Sequence, residues 1–110
     1  MAAARYDLVI DQGSDYFLRI PVLNEFNQPV TVTGWTVTGQ VRARASSSTV
    51  LQQLNVVPNG QYVELRVPRA TSSAWAFLTA RYDVELVSPS GDGTRLIEGG
   101  VFLRPEVTRA

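Results

Sequence analysis

The sequence predicts an all-β, two-sheet antiparallel sandwich with one short helical turn, formed by a single domain over residues 1–110. Three observations carry this expectation. Apolar residues recur with period two in at least five segments, clusters of turn formers separate those segments, and one stretch alone offers a helix. A chain of 110 residues with 45% hydrophobic residues is long and apolar enough to bury one core. It falls outside the composition of disordered chains.

The elements follow in order. Tyr6, Leu8 and Ile10 alternate with Asp7, Val9 and Asp11, which gives a first strand with one dry face. Tyr16, Leu18, Ile20 and Val22 alternate with Phe17, Arg19 and Pro21 in a second. The clearest run is Trp35 to Arg44, with Trp35, Val37, Gly39, Val41 and Ala43 on one side and Thr36, Thr38, Gln40, Arg42 and Arg44 on the other. A helix would mix those two sets. Thr49 to Val57 reads as an edge strand leading into a Pro58-Asn59-Gly60 turn. Val63, Leu65 and Val67 oppose Tyr62, Glu64 and Arg66, and Ala80, Tyr82, Val84 and Leu86 oppose Arg81, Asp83 and Glu85. Turns are predicted at Gln12-Gly13-Ser14, Asn24 to Pro29, Ser46 to Ser48 and Ser88 to Gly93.

Arg69 to Phe77 is the helix candidate, with Pro68 at an early position and Thr71 or Ser72 as its cap. It is too short to stand alone and is expected to plug one end of the sandwich with Trp75 or Phe77. In the last strand, Arg95 to Leu103, the pattern sends Ile97, Gly99, Val101 and Leu103 inward and Leu96, Glu98, Gly100 and Phe102 outward. Its Gly99-Gly100 pair marks a bulge or the close approach of another backbone. The tail from Arg104 to Ala110 is expected to be extended, because Pro105 has no N–H for a ladder.

Charge and composition narrow the function classes. Ten arginines balance ten carboxylates, and the chain has no lysine, histidine or cysteine. Without a basic excess or a basic patch, nucleic acid is not an expected partner. No stretch is long enough to span a bilayer as a helix, and no signal-like apolar run follows Met1, so no membrane association and folding in a cytoplasm are expected. The usual general bases and the amine and thiol nucleophiles are missing. The carboxylates Asp7, Asp11, Asp15, Asp83, Glu85 and Glu98 fall at outward or turn positions, so no catalytic residue is expected. Asp92, in Ser90-Gly91-Asp92-Gly93-Thr94, reads as a hairpin turn rather than a calcium loop. Neither a metal nor a cofactor is expected.

Four aromatics are candidate protein-contact residues: Phe26 at the tip of the Asn24–Pro29 turn, Phe102 on a polar face, and Trp75 and Phe77 in the helical turn. For Trp75 and Phe77 a plug over the sandwich end is the preferred reading, whereas for Phe26 and Phe102 contact and plug stand level. Tyr82, two residues before an inward strand position, resembles the tyrosine corner of immunoglobulin-like sandwiches, with Trp35 as a candidate core tryptophan.

The order of several stretches adds a resemblance. Asp11-Gln12-Gly13-Ser14-Asp15-Tyr16-Phe17 is followed by Asn27-Gln28-Pro29-Val30 and leucine-rich strands. Then come Arg81-Tyr82-Asp83-Val84-Glu85-Leu86, Thr94-Arg95-Leu96-Ile97-Glu98-Gly99, and Pro105-Glu106-Val107-Thr108-Arg109. From about Leu8 to Arg109 the chain is similar to small tailed-phage virion proteins, in particular the immunoglobulin-like N-terminal domain of phage baseplate upper proteins. The resemblance implies an immunoglobulin-like fold and a non-enzymatic structural protein of the virion, assembled in the bacterial host cytoplasm. Its partners would be other virion structural proteins, in a homo-oligomer or symmetric array of the tail or baseplate. That family's following shaft has no counterpart here, so capsid decoration and the neck are alternatives within the virion. A carbohydrate-binding or adhesion module, with Phe26 and Phe102 as sugar platforms, is the alternative outside it.

Overall fold

The computed structural model describes residues 3–107; the expectations placed on Thr108, Arg109 and Ala110 lie outside them. Nine strands and one helix follow the order β1 Ala4–Arg5, β2 Leu8–Asp11, β3 Tyr16–Pro21, β4 Thr36–Arg42, β5 Gln52–Gln53, β6 Asn55–Asn59, β7 Tyr62–Val67, α1 Arg69–Ser73, β8 Thr79–Val87 and β9 Gly93–Arg104. They form two sheets. The larger runs β1-β9-β8-β4-β5, with β2 also beside β9, and the smaller runs β3-β7-β6. This is the strand order of an immunoglobulin-like sandwich, without the inter-sheet disulfide of antibody domains.

Alternation builds the core as the sequence predicts. Leu8, Ile10, Val41, Val84, Leu86 and Val101 from one sheet meet Ile20, Val63, Leu65 and Val67 from the other, all of them buried. Val22 and Val32 on the flanking segments fill the layer between them. The sandwich is not wholly antiparallel, however. Both N-terminal strands lie parallel to β9, with Ala4 beside Ile97 and Leu8 beside Val101 in one continuous offset. A parallel pair needs a long connection, and the whole domain supplies it here.

The glycine pair explains how that strand docks. Register through Gly99 and Gly100 is unbroken against Tyr82 and Arg81, so there is no bulge at the pair. It is instead a close approach of backbone: a β-carbon on Gly99 would collide with the Tyr6 carbonyl. Three bonds then fasten the chain between β1 and β2. Tyr6 N–H donates to the Glu98 carbonyl at 2.9 Å, Gly100 N–H donates to Asp7 Oδ1 at 2.9 Å, and the Tyr82 hydroxyl donates to the Tyr6 carbonyl at 2.5 Å. Tyr82 is therefore a core residue, as expected, but its hydroxyl reaches the N-terminal strand and not a nearby corner. Tyr6, expected inside, lies 47% exposed because its own backbone occupies the space over Gly99.

Several other expectations change. The bulge in β9 falls at Leu96, between the pairs Val84–Ile97 and Glu85–Arg95; the extra residue turns Leu96 inward, against its predicted outward position. Trp35 precedes β4 and is only half-buried, and Ala43 follows the end of β4 and is exposed. The Thr49 to Val57 segment is two strands in different sheets. β5 pairs β4, and the chain then crosses at Leu54, whose side chain packs over Gly39, into β6 beside β7. Pro58 lies inside β6, and the turn is at Gly60-Gln61.

The helix also differs in detail. It covers only Arg69–Ser73, and Pro68 occupies the cap position with no side-chain cap of its own. Its first amide is satisfied from outside, as Arg69 N–H donates to Asp15 Oδ1 at 2.8 Å. The buried Ser72 hydroxyl accepts from Gly13 N–H at 3.0 Å. Gln12 completes the attachment: its Nε2 donates to the carbonyls of Ser72, Ser73 and Trp75, and its Oε1 accepts from Glu106 N–H.

Two predictions follow from this packing. Gly99→Ala forces the N-terminal strand away from β9 and is expected to cost about 2–4 kcal/mol, whereas Gly93→Ala, with open space around its β-carbon, stays within about 0.5 kcal/mol. Urea unfolding of both variants checks the contrast; equal stabilities would refute the close approach. The second concerns alkali. Burial first, then the nearby Tyr6, pushes the Tyr16 hydroxyl from 10.0 up to about 12. Burial also raises Tyr82, aided by Tyr16, Asp7 and Tyr6. Above pH 10.0 the unfolded chain loses these protons while the native state keeps them, so stability is full below the unfolded value and is lost as pH rises toward about 12. With no lysine, histidine or cysteine, tyrosines are the side chains titrating there. A pH series of urea midpoints is expected to fall in that window and to flatten in Tyr16→Phe; an unchanged decline in the variant contradicts the assignment.

Candidate interaction surfaces

The outer face of the small sheet is the most organised surface of the domain. Strand register places three rows across β3, β7 and β6: Phe17, Arg66 and Asn55; Arg19, Glu64 and Val57; Pro21, Tyr62 and Asn59. Arg66 sits over the Phe17 ring, 4.3 Å from its centroid, and Arg19 sits 5.0 Å from the Tyr62 centroid. Arg19 also pairs with Glu64, Nη2 to Oε2 at 3.0 Å. Glu64 was expected to point to solvent; it stays on the outer face but is covered, at 8% exposure, by these neighbours.

The result is a lattice in which the Arg66 and Arg19 guanidinium groups each lie over a ring. Phe17 and Tyr62 nevertheless remain 46% and 39% exposed, and Val57 beside them is also exposed. Aromatic and arginine side chains held rigid in this way lose little conformational freedom when a partner covers them. The sequence reading sent Phe17, Tyr62, Arg19 and Arg66 outward but did not single them out as a site. The cross-strand register, which assembles residues 17, 19, 62 and 66 into neighbours, is absent from any one segment.

The edges of the same sheet are blunted. β3 carries Pro21 and β6 carries Pro58, so each outer strand lacks one ladder donor. Tyr62 lies between them, opposite Pro21 on one side and Asn59 on the other. Addition of a further strand to this sheet is thus disfavoured, and its face remains as the contact surface.

The four aromatics named from sequence separate in the structure. Phe26 is 73% exposed at the tip of a tied turn. Asn24 Oδ1 accepts from the Phe26 and Gln28 amides at 2.8 and 3.0 Å, Asn24 N–H donates to the Gln28 carbonyl, and Asn27 takes a positive φ of 59°. Phe102 is exposed on the outer face of the large sheet, where its ring lies over Gly100; a β-carbon there would be 2.8 Å from Phe102 Cε2. Trp75 is only 7% exposed: it stacks on the half-buried Phe77 at 4.8 Å between centroids and donates from Nε1 to Gln52 Oε1 at 3.0 Å. These two form the plug, and Trp75 has no surface to offer a partner. The structure therefore brings Trp75 and Phe77 together in the plug and leaves Phe26 and Phe102 apart from them and from each other.

Apart from Glu85, which is exposed, the carboxylates named from sequence take structural roles. Asp7 and Asp15 accept backbone amides, Asp11 pairs with Arg104 at 3.1 Å, and Arg95 bridges Asp83 and Glu98. Asp92 closes the Ser88–Asp92 turn through Ser88 and Ser90. Among the described residues no three acids converge on one point.

Removing Arg19 takes from Glu64 its counter-charge and part of its cover. Arg19→Ala is therefore expected to cost about 1–3 kcal/mol, and Phe17→Ala less than about 1 kcal/mol. Chemical denaturation of the two variants checks the order; a neutral Arg19→Ala would remove the pair as a support of the lattice.

No protein-family profile matches the chain, and no curated protein matches it. Among solved structures it is similar to the M1 domain from titin, at 12% identity and a TM-score of 0.47, covering 99% of this chain and 95% of that one. The fold assignment rests on strand order and register, and the likeness bears no functional inference.

Proposed function

We propose that the domain is a non-enzymatic docking module whose main contact is the outer face of β3, β7 and β6. The observation that carries this reading is the Phe17–Arg66 and Tyr62–Arg19 lattice, half-open to solvent on a sheet whose two edges each contain a proline. Three strands of five or six residues present only about 300 Å². A stable one-to-one complex buries about 800 Å² per partner, so one such contact is weak by itself. Repetition in a symmetric assembly makes weak contacts sufficient.

That requirement agrees with the likeness of the sequence to tailed-phage virion proteins. We place the domain in a virion on that ground, in the tail or baseplate, with capsid decoration and the neck as variants, and with other virion proteins or further copies of itself as partners. Phe26, on its tied turn, is a second contact point in the same scheme.

Mass spectrometry of purified particles is expected to find the protein in many copies; its absence from them refutes the virion assignment. Phe17→Ser/Tyr62→Ser is expected to fold, by circular dichroism, and to lose incorporation at least about tenfold. Full incorporation of the folded variant would refute the face as the contact.

A further inference from the structure

The opposite side of the domain carries a different feature, independent of the docking face. The outer face of β4, β8 and β9 holds a concavity of about 350 Å³, a volume suited to a side chain or a small ligand. One end is basic. Arg42 and Arg81 are directly opposite across β4 and β8, and the next position across β9 is Gly100, which supplies no counter-charge and is covered by the Phe102 ring. Like charges in that relation destabilise a sheet. Neither arginine is ion-paired among the described residues. Arg42 is held in place, donating to Gln40 Oε1 at 2.8 Å and to the Ser47 carbonyl at 2.6 Å.

The other end is acidic. Asp83, Glu85 and Glu98 line it, and Arg95 is shared between Asp83 and Glu98. A polyanion entering the concavity would be drawn by one end and repelled by the other. A ligand with a single carboxylate and a separate cation meets both. Along β8 the step from Arg81 to Asp83 is about 7 Å, and to Glu85 about 13 Å.

We infer that this concavity binds an extended peptide segment of a partner, with a carboxylate lying between the Arg42 and Arg81 guanidinium groups and a basic side chain about 7 Å further on against Asp83, on the side that leads to Glu85. An acidic residue followed two positions later by a basic one has that spacing on one face of a strand. The arginine pair, which costs the isolated sheet stability, gains its counter-charge from the ligand.

The probe is the peptide acetyl-Glu-Gly-Arg-amide, titrated against the whole chain and followed by nitrogen–proton NMR. Saturable shifts are expected at Arg42, Arg81 and Glu98, weakened about tenfold when glutamine replaces the peptide's glutamate, and about tenfold in Arg81→Gln. Arg81→Gln is expected to fold at least as stably as the parent, since it relieves repulsion; Arg42→Gln repeats the test from the other strand. Glutarate at matched ionic strength separates the sources: weaker binding than the peptide supports a two-ended site, and equal binding overturns it. Shifts that never saturate, or that persist unchanged in both variants, overturn the site itself.

Discussion

The N-terminal strand can lie against β9 only because Gly99 leaves no side chain in its path. Everything around that contact is arranged on it. Tyr82 spends its hydroxyl on the Tyr6 carbonyl, Asp7 takes the Gly100 amide, and β2 then runs on in register to Gln12. Gln12 in turn holds α1 and the Glu106 amide, and through α1 it fixes Trp75 over the end of the core. A chain without a disulfide thus closes its sandwich with a few directed hydrogen bonds between segments more than 50 residues apart. Long-range bonds of this kind restrict the ends of the chain, which local turns cannot do.

The two outer faces divide the remaining chemistry. On the small sheet, opposite charges and rings neutralise one another within the face: Arg19 serves Glu64 and Tyr62 at once, and Arg66 lies on Phe17. Such a face sets exposed rings beside guanidinium groups, with its one carboxylate paired. On the large sheet, charges of one sign are grouped, Arg42 with Arg81 and Asp83 with Glu98. Arg95 bridges the acidic pair, whereas the arginine pair has no counter-charge among the described residues and is open to an external one. A contact by shape suits the first face, and a contact by charge suits the second.

Much of the fold was legible from the sequence because a sandwich core is a local pattern. Period-two alternation placed Leu8, Ile10, Ile20, Val41, Val63, Leu65, Val67, Val84 and Leu86 inside, each from its own segment. Turn residues placed the breaks, including the Phe26 tip and the Ser88–Asp92 turn. Where reading failed, the deciding partner was distant. Leu96 is inside because β9 gains a residue against β8, Tyr6 is outside because of Gly99, and the helix is capped by Asp15 of a remote loop.

The interaction surfaces divide in the same way. The sequence by itself determined the layered all-β body, the turn that carries Phe26, and a balance of ten arginines against ten carboxylates. Only the tertiary structure decided that Trp75 belongs to the plug, that Phe17 and Tyr62 stand beside guanidinium groups, and that Arg42 faces Arg81. The reason is that alternation is encoded between neighbours in one strand, whereas a surface is made across strands, and its neighbours are fixed by register alone.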